Sequence, residues 1–188
     1  MKNSQLLNVL LTSLIIVAIF SCSNDDALPV NEEEFITTVT VKFTNTEDAN
    51  DVVIASFKDI DGPGGDVAVI TNPILSQNTV YNTSITFLNE NKSPAENITQ
   101  KVAQQDENHI VFYISAEELD FVVVYDDQDA NGQVVGLKGT AYAGANSTGE
   151  LTVTLVEGPN KDNLTGIPTP ELSGGNRVIE FEFAVTIQ

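Results

Sequence analysis

Tryptophan is absent from this chain of 188 residues, histidine and cysteine occur once each, and only 8 residues are Lys or Arg. A single cysteine excludes any disulfide framework within the chain, so stability has to come from an ordinary packed core. A single histidine, His109, leaves any histidine-based metal site or Ser-His-Asp triad resting on that one residue. No nucleophile–base pair can be named around it, and the chain reads as non-enzymatic. Against the 8 cations stand 27 Asp and Glu, for a formal net charge of −19. Such a field repels nucleic acid, whose binders need basic patches to displace counterions. It equally disfavours anionic lipid and glycan surfaces, so adhesion through charge would need bridging cations. An apolar run long enough to cross a bilayer is missing too. Leu6 to Phe20 is the candidate, and a spanning helix needs roughly 20 residues.

That run follows Lys2 and stops at Ser21-Cys22, the layout of a signal-peptide core with a small residue before the cleavage point. Ile19-Phe20-Ser21-Cys22 resembles a bacterial lipobox, in which Cys22 is acylated and becomes the new N-terminus. Acyl chains contribute about 0.8 kcal/mol per buried CH₂, so two or three of them hold a soluble domain on a membrane durably. Ser23-Asn24-Asp25-Asp26 resembles the acidic signal that sends Bacteroidetes lipoproteins to the outer face of the outer membrane. The expected organisation is a signal peptide over 1–21, an acylated cysteine and flexible tether over 22–34, and one domain over 35–188.

Within that domain, period-two alternation dominates. Ile179, Phe181, Phe183, Val185 and Ile187 share one face of a strand, with Glu180, Glu182, Ala184 and Thr186 on the other. Val39/Val41/Phe43, Val53/Ala55/Phe57, Tyr81/Ile85/Phe87 and Leu151/Val153/Leu155 repeat the pattern. Ile110 to Ile114 and Phe121 to Tyr125 are nearly continuous apolar runs, as central strands require. Turns rich in Gly, Asn and Asp separate them at short intervals. The fold expected is all-β, an antiparallel β-sandwich of immunoglobulin-like type with one short helix. That helix is placed at residues 94–105, with Ser93 as N-cap, Pro94 in the first turn and Glu96 reaching back. Ile98 and Val102, four apart, would face the sandwich together. Residues 158–177 read as one long irregular stretch.

Asp127-Gln128-Asp129-Ala130-Asn131-Gly132 matches the first half of a calcium loop, with oxygens on alternate residues and a glycine for the sharp turn. Asp127, Asp129 and Asn131 would bind by side chain, and Gln133 by its carbonyl. The flanks read as strands and position twelve is Lys138, so this is no EF-hand. Asn131-Gly132 is equally a favoured hairpin turn whose aspartates solvate the tip. A second acidic turn, with Asp59 and Asp61, would add to a calcium site if both turns lay at the same end. His109 reads as a structural residue near the end of the helix.

Four stretches together, "DIDGPGG" at 59–65, "YNTSITFLNENKSPAENIT" at 81–99, "ENHIVFY" at 107–113 and "YDDQDANGQVVGL" at 125–137, resemble an uncharacterised family of flavobacterial (Bacteroidetes) surface lipoproteins. Members often carry the label "type 1 periplasmic binding fold superfamily". That fold alternates strands with long helices, and the alternation here argues for the sandwich instead. The resemblance implies a lipid-anchored protein of the outer membrane, exposed at the cell surface, beside a TonB-dependent uptake receptor. The expected function is that of a non-enzymatic binding or accessory protein without a cofactor. The alternative is a calcium-stabilised structural or adhesion module.

Overall fold

The computed structural model describes residues 35–164 and 169–188; the signal peptide, Cys22 and the tether lie outside the described residues. Alternation of apolar and polar side chains produces strands where it was expected, but the two nearly continuous apolar runs, at 110–114 and 121–125, are edge strands of their sheets and not central ones. The first is covered on its outer face by other parts of the chain instead of by a neighbouring strand. β1 (Thr38–Asn45), β2 (Val52–Lys58) and β3 (Val69–Thr71) form a meander. β5 (Thr79–Asn89) pairs with the other side of β1, and β9 (Lys138–Ala143) and β8 (Phe121–Tyr125) follow. The larger sheet therefore runs β3-β2-β1-β5-β9-β8, with the two-residue β6 (Glu96–Asn97) beside β5. The smaller sheet runs β4 (Ile74–Leu75), β11 (Asn176–Ile187), β10 (Ser147–Glu157) and β7 (His109–Ser115). Every pairing is antiparallel except β4 with β11. The two sheets carry more strands than a constant-type immunoglobulin domain.

One core fills the space between the sheets. Val39, Val41, Phe43, Tyr81 and Phe87 enter from the larger sheet, and Leu151, Val153, Leu155 and Phe183 from the smaller; all are fully buried. Each such side chain contributes about 1.5–3 kcal/mol relative to exposure. Phe57 of β2 stacks on Phe181 of β11 with ring centres 4.8 Å apart, locking one sheet over the other. Phe43 meets Phe121 edge-on at 6.0 Å. Burial on this scale needs no disulfide.

The helix differs from expectation at its start. Helix α1 spans Ile98–Gln104, and Asn97 caps it by accepting from the Gln100 N–H at 3.3 Å. Ser93 is no cap: the Ser93–Pro94 peptide is cis, and Glu96–Asn97 instead pairs with Leu88–Asn89 as β6. Strand pairing thus outcompetes the capping box over the residues assigned to the first turn. Ile98 and Val102 are buried together as their spacing requires, and the Thr99 hydroxyl bonds the Phe87 N–H (2.8 Å) and carbonyl (3.2 Å). In the stretch 158–177, a 3₁₀ turn (Lys161–Asn163) and a short helix α2 (Pro170–Ser173) appear among the described residues.

Candidate functional site

Residues 126–137 connect β8 to β9 and leave the larger sheet to lie against β7 of the smaller one. The Val111 N–H donates to the Val135 carbonyl at 2.8 Å, and Gln128 bridges to Val134 within the hairpin. Gly132 turns the tip at φ 79°, a conformation that favours glycine. Gly136 allows the close approach to β7: at φ 90°, an added Cβ would stand 2.6 Å from the Val111 carbonyl oxygen.

The aspartates of this hairpin serve the hairpin itself. Asp127 accepts from the Gly136 N–H through Oδ1 (2.8 Å) and from the Leu137 and Lys138 N–H groups through Oδ2 (2.8 and 3.1 Å). Asp129 Oδ1 accepts from the Asn131 and Gln133 N–H groups at 3.0 and 2.9 Å. Its Oδ2 lies 2.9 Å from Lys161 Nζ, in an ion pair whose side chains are only 1% and 6% exposed. Lys161 also donates to the Asp106 carbonyl at 2.7 Å. Burial pushes the Asp129 carboxyl up, but the Lys161 ammonium and the two backbone donors outweigh it and hold the group below its ordinary range. The pair joins three segments distant in sequence: the hairpin, the stretch 158–164 and the turn after α1.

Beneath this clamp, Ile110, Phe112 and Val156 on the outer face of the smaller sheet are fully buried, with Ile114, Val134 and Leu164 packed on them. A cleft of about 660 Å³ remains beside it, rimmed by Glu107, Asn131, Gln133, Asn160 and Asp162. His109 is buried nearby, its Nδ1 2.9 Å from the carbonyl of Gln105, the residue that ends α1.

The structure does not turn Asp127, Asp129 and Asn131 into a cage. Asp59 accepts from the Gly62 N–H and Asp61 from the Asp66 N–H, each at 2.8 Å, so the second acidic turn is self-satisfied in the same way. That Asp66 donor, countered by burial, holds the Asp61 carboxyl below its ordinary range. β2 and β8 run in the same direction, which puts both turns at the same end. They leave the sheet four strand positions apart, roughly 19 Å at about 4.8 Å per strand. No ion can bridge that span. Among the described residues, no group of three or more His, Cys, Asp or Glu could hold a metal ion.

A different surface emerges on the outside of the larger sheet. The outward positions of β1 and β2 include Thr40, Lys42, Thr44, Val52, Ile54 and Lys58. Those of β5 carry Asn82, Ser84 and Thr86, and β9 continues with Lys138, Thr140 and Tyr142. Val122 and Val124 of β8 complete the face, and not one outward position on these five strands is Asp or Glu. Carboxylates stand only at the margins: Glu90 pairs with Lys58, and Asp126 accepts from the Thr140 hydroxyl at 2.8 Å. Lys42 and Lys138 are exposed and have no ion-pair partner among the described residues. Sorting the strand residues by parity already separates this face from the acidic rest of the chain, whereas the Lys161 partnership carries no local signal. No family model, curated protein or solved structure matches the chain.

Proposed function

We propose that this chain is a lipid-anchored, non-enzymatic binding protein of the outer membrane, displayed at the cell surface, that engages its partner through the open face of the larger sheet. One observation carries the binding role: a chain of net charge −19 keeps the outward positions of five strands free of carboxylates and leaves aliphatic side chains exposed on them, including Ile54 (44%) and Val122 (54%). Solubility alone does not call for such sorting of charge. The lipobox-like Ile19-Phe20-Ser21-Cys22 supports the anchor, and the resemblance in the sequence supports a TonB-dependent uptake receptor as neighbour.

The anchor and its side of the membrane are tested by fractionation and by protease added to intact cells. The wild-type protein should sediment with outer membranes and be degraded from outside. Cys22→Ser should abolish acylation and release the domain to the soluble fraction. A Cys22→Ser protein that stays on the membrane, or a wild-type protein fully protected from external protease, sinks this reading.

A further inference from the structure

We infer that the open face of the larger sheet binds a carboxylated polysaccharide, a uronate-containing glycan, with Lys42 and Lys138 as its two charge contacts. The inference rests on the binding role proposed above and names the ligand class for that same face. The net charge as a whole repels an anionic glycan, but it is not evenly spread. Ile54, Lys42, Ser84 and Lys138 occupy one row across β2, β1, β5 and β9. Lys42 and Lys138 are therefore two strands apart, roughly 10 Å, with the Ser84 hydroxyl between them. They flank a shallow cleft of about 330 Å³ that also takes in Thr44, Asn82 and Asp126, which extends β8 beside Lys138 with its N–H donating to the Lys138 carbonyl at 3.1 Å.

Two lysines with no ion-pair partner among the described residues, in a chain with more than three carboxylates per cation, are the arrangement expected where the complementary charge arrives from outside. Between and around them stand hydroxyls and an amide, each able both to donate and to accept as the hydroxyls of a sugar ring demand, and one carboxylate, Asp126, which accepts from the Thr140 hydroxyl. Two outward rows along β9, beyond Thr140, stands Tyr142, 45% exposed, whose ring offers a stacking surface. The centre of the face lacks the buried aromatic or arginine anchor on which protein–protein hot spots are built. Its openness lets a chain of any length cross perpendicular to the strands. These features favour a glycan over an acidic protein segment.

The full lipidated chain, held in detergent micelles, can be tested on immobilised polygalacturonate, on the same polymer after carboxyl reduction, and on poly-L-glutamate. Retention is expected on polygalacturonate and not on its reduced form. Lys42→Glu/Lys138→Glu should weaken it at least about tenfold, since reversing both contacts turns attraction into repulsion. Ser84→Ala and Tyr142→Ala should each weaken it by a smaller factor. Absence of retention on polygalacturonate overturns the inference, as does retention that the double lysine variant leaves unchanged. Equal retention on poly-L-glutamate overturns the glycan and assigns the face to acidic protein. A chain that is anchored and surface-exposed yet binds no uronate refutes only the ligand, whereas a chain that fails fractionation refutes the anchor.

Discussion

On the smaller sheet, β7 and β10 turn Ile110, Phe112 and Val156 outward, and the 126–137 hairpin closes over them with residues 158–164. On the larger sheet, five strands turn lysines, hydroxyls and a few aliphatics outward, and nothing in the described chain lies on them. The first face uses its one lysine, Lys161, inside an ion pair and hides both partners from water. The second leaves Lys42 and Lys138 extended into solvent. The same residue type therefore does opposite work on the two sides. A cation surrounded by protein fixes the chain's own segments, whereas one held out on a flat lattice is available to another molecule.

Mutations should separate the two faces sharply. The largest effect belongs to the clamp. Lys161→Ala leaves Asp129 buried and uncompensated, which is expected to cost about 3–5 kcal/mol. In a domain of this size that lowers the melting temperature by roughly 6–20 °C, at about 2–4 °C per kcal/mol. Asp129→Ala/Lys161→Met, which removes both charges, should recover much of the loss in the same melts. A clamp variant that melts like the wild type would mean that the covered face is held by its apolar contacts alone.

Next comes Gly136→Ala, at a positive φ and with the Val111 carbonyl in the way. A loss of about 1–3 kcal/mol is expected from the strained conformation alone, read as a shift of the urea midpoint. A smaller effect is acid dependence. Asp129 has a lowered carboxyl pKa in the folded chain, so its contribution is fully present above the ordinary carboxylate range and fades as pH falls through the folded value. Wild-type stability should therefore decline below about pH 4, and the Asp129→Ala/Lys161→Met protein should show a shallower decline. Equal slopes for the two proteins would remove Asp129 from the acid response. The smallest effect belongs to the open face. Lys42→Glu and Lys138→Glu should each move stability by no more than about 0.5 kcal/mol, while changing whatever the face binds. A large destabilisation by either would show that the face supports the fold, and the contrast between the two sides would collapse.

The apolar alternation of β1, β5, β10 and β11 was readable because period two survives without knowledge of partners. The start of α1 was not, because Glu96–Asn97 has a strand partner in Leu88–Asn89 that no local pattern announces. The Asp127-x-Asp129-x-Asn131-Gly132 spacing marked a sharp turn rich in oxygens and left two outcomes open. What distinguishes them is Lys161, which stands 32 residues beyond Asp129 in a stretch that reads as irregular loop. Charge parity on the larger sheet lay in the sequence throughout, but it gains meaning only once the strand order puts Lys42 and Lys138 on one row.

The order of strands in the smaller sheet bears on how the domain can be assembled. β11, the latest of its four strands in sequence, lies between β4 and β10. The contact at β4 reaches back 112 residues, where the Ala184 N–H donates to the Asn72 side chain. A chain emerging from its N-terminus can zip the β1–β2 hairpin early, since its register needs only nearby residues. The smaller sheet has no centre until residues 176–187 are available, and its closure pays the entropy of a long loop. Folding should therefore be gated by the arrival of one strand, with β10 and β11 docking as a late hairpin. In stopped-flow refolding, Phe183→Leu in β11 should then slow folding more than it speeds unfolding.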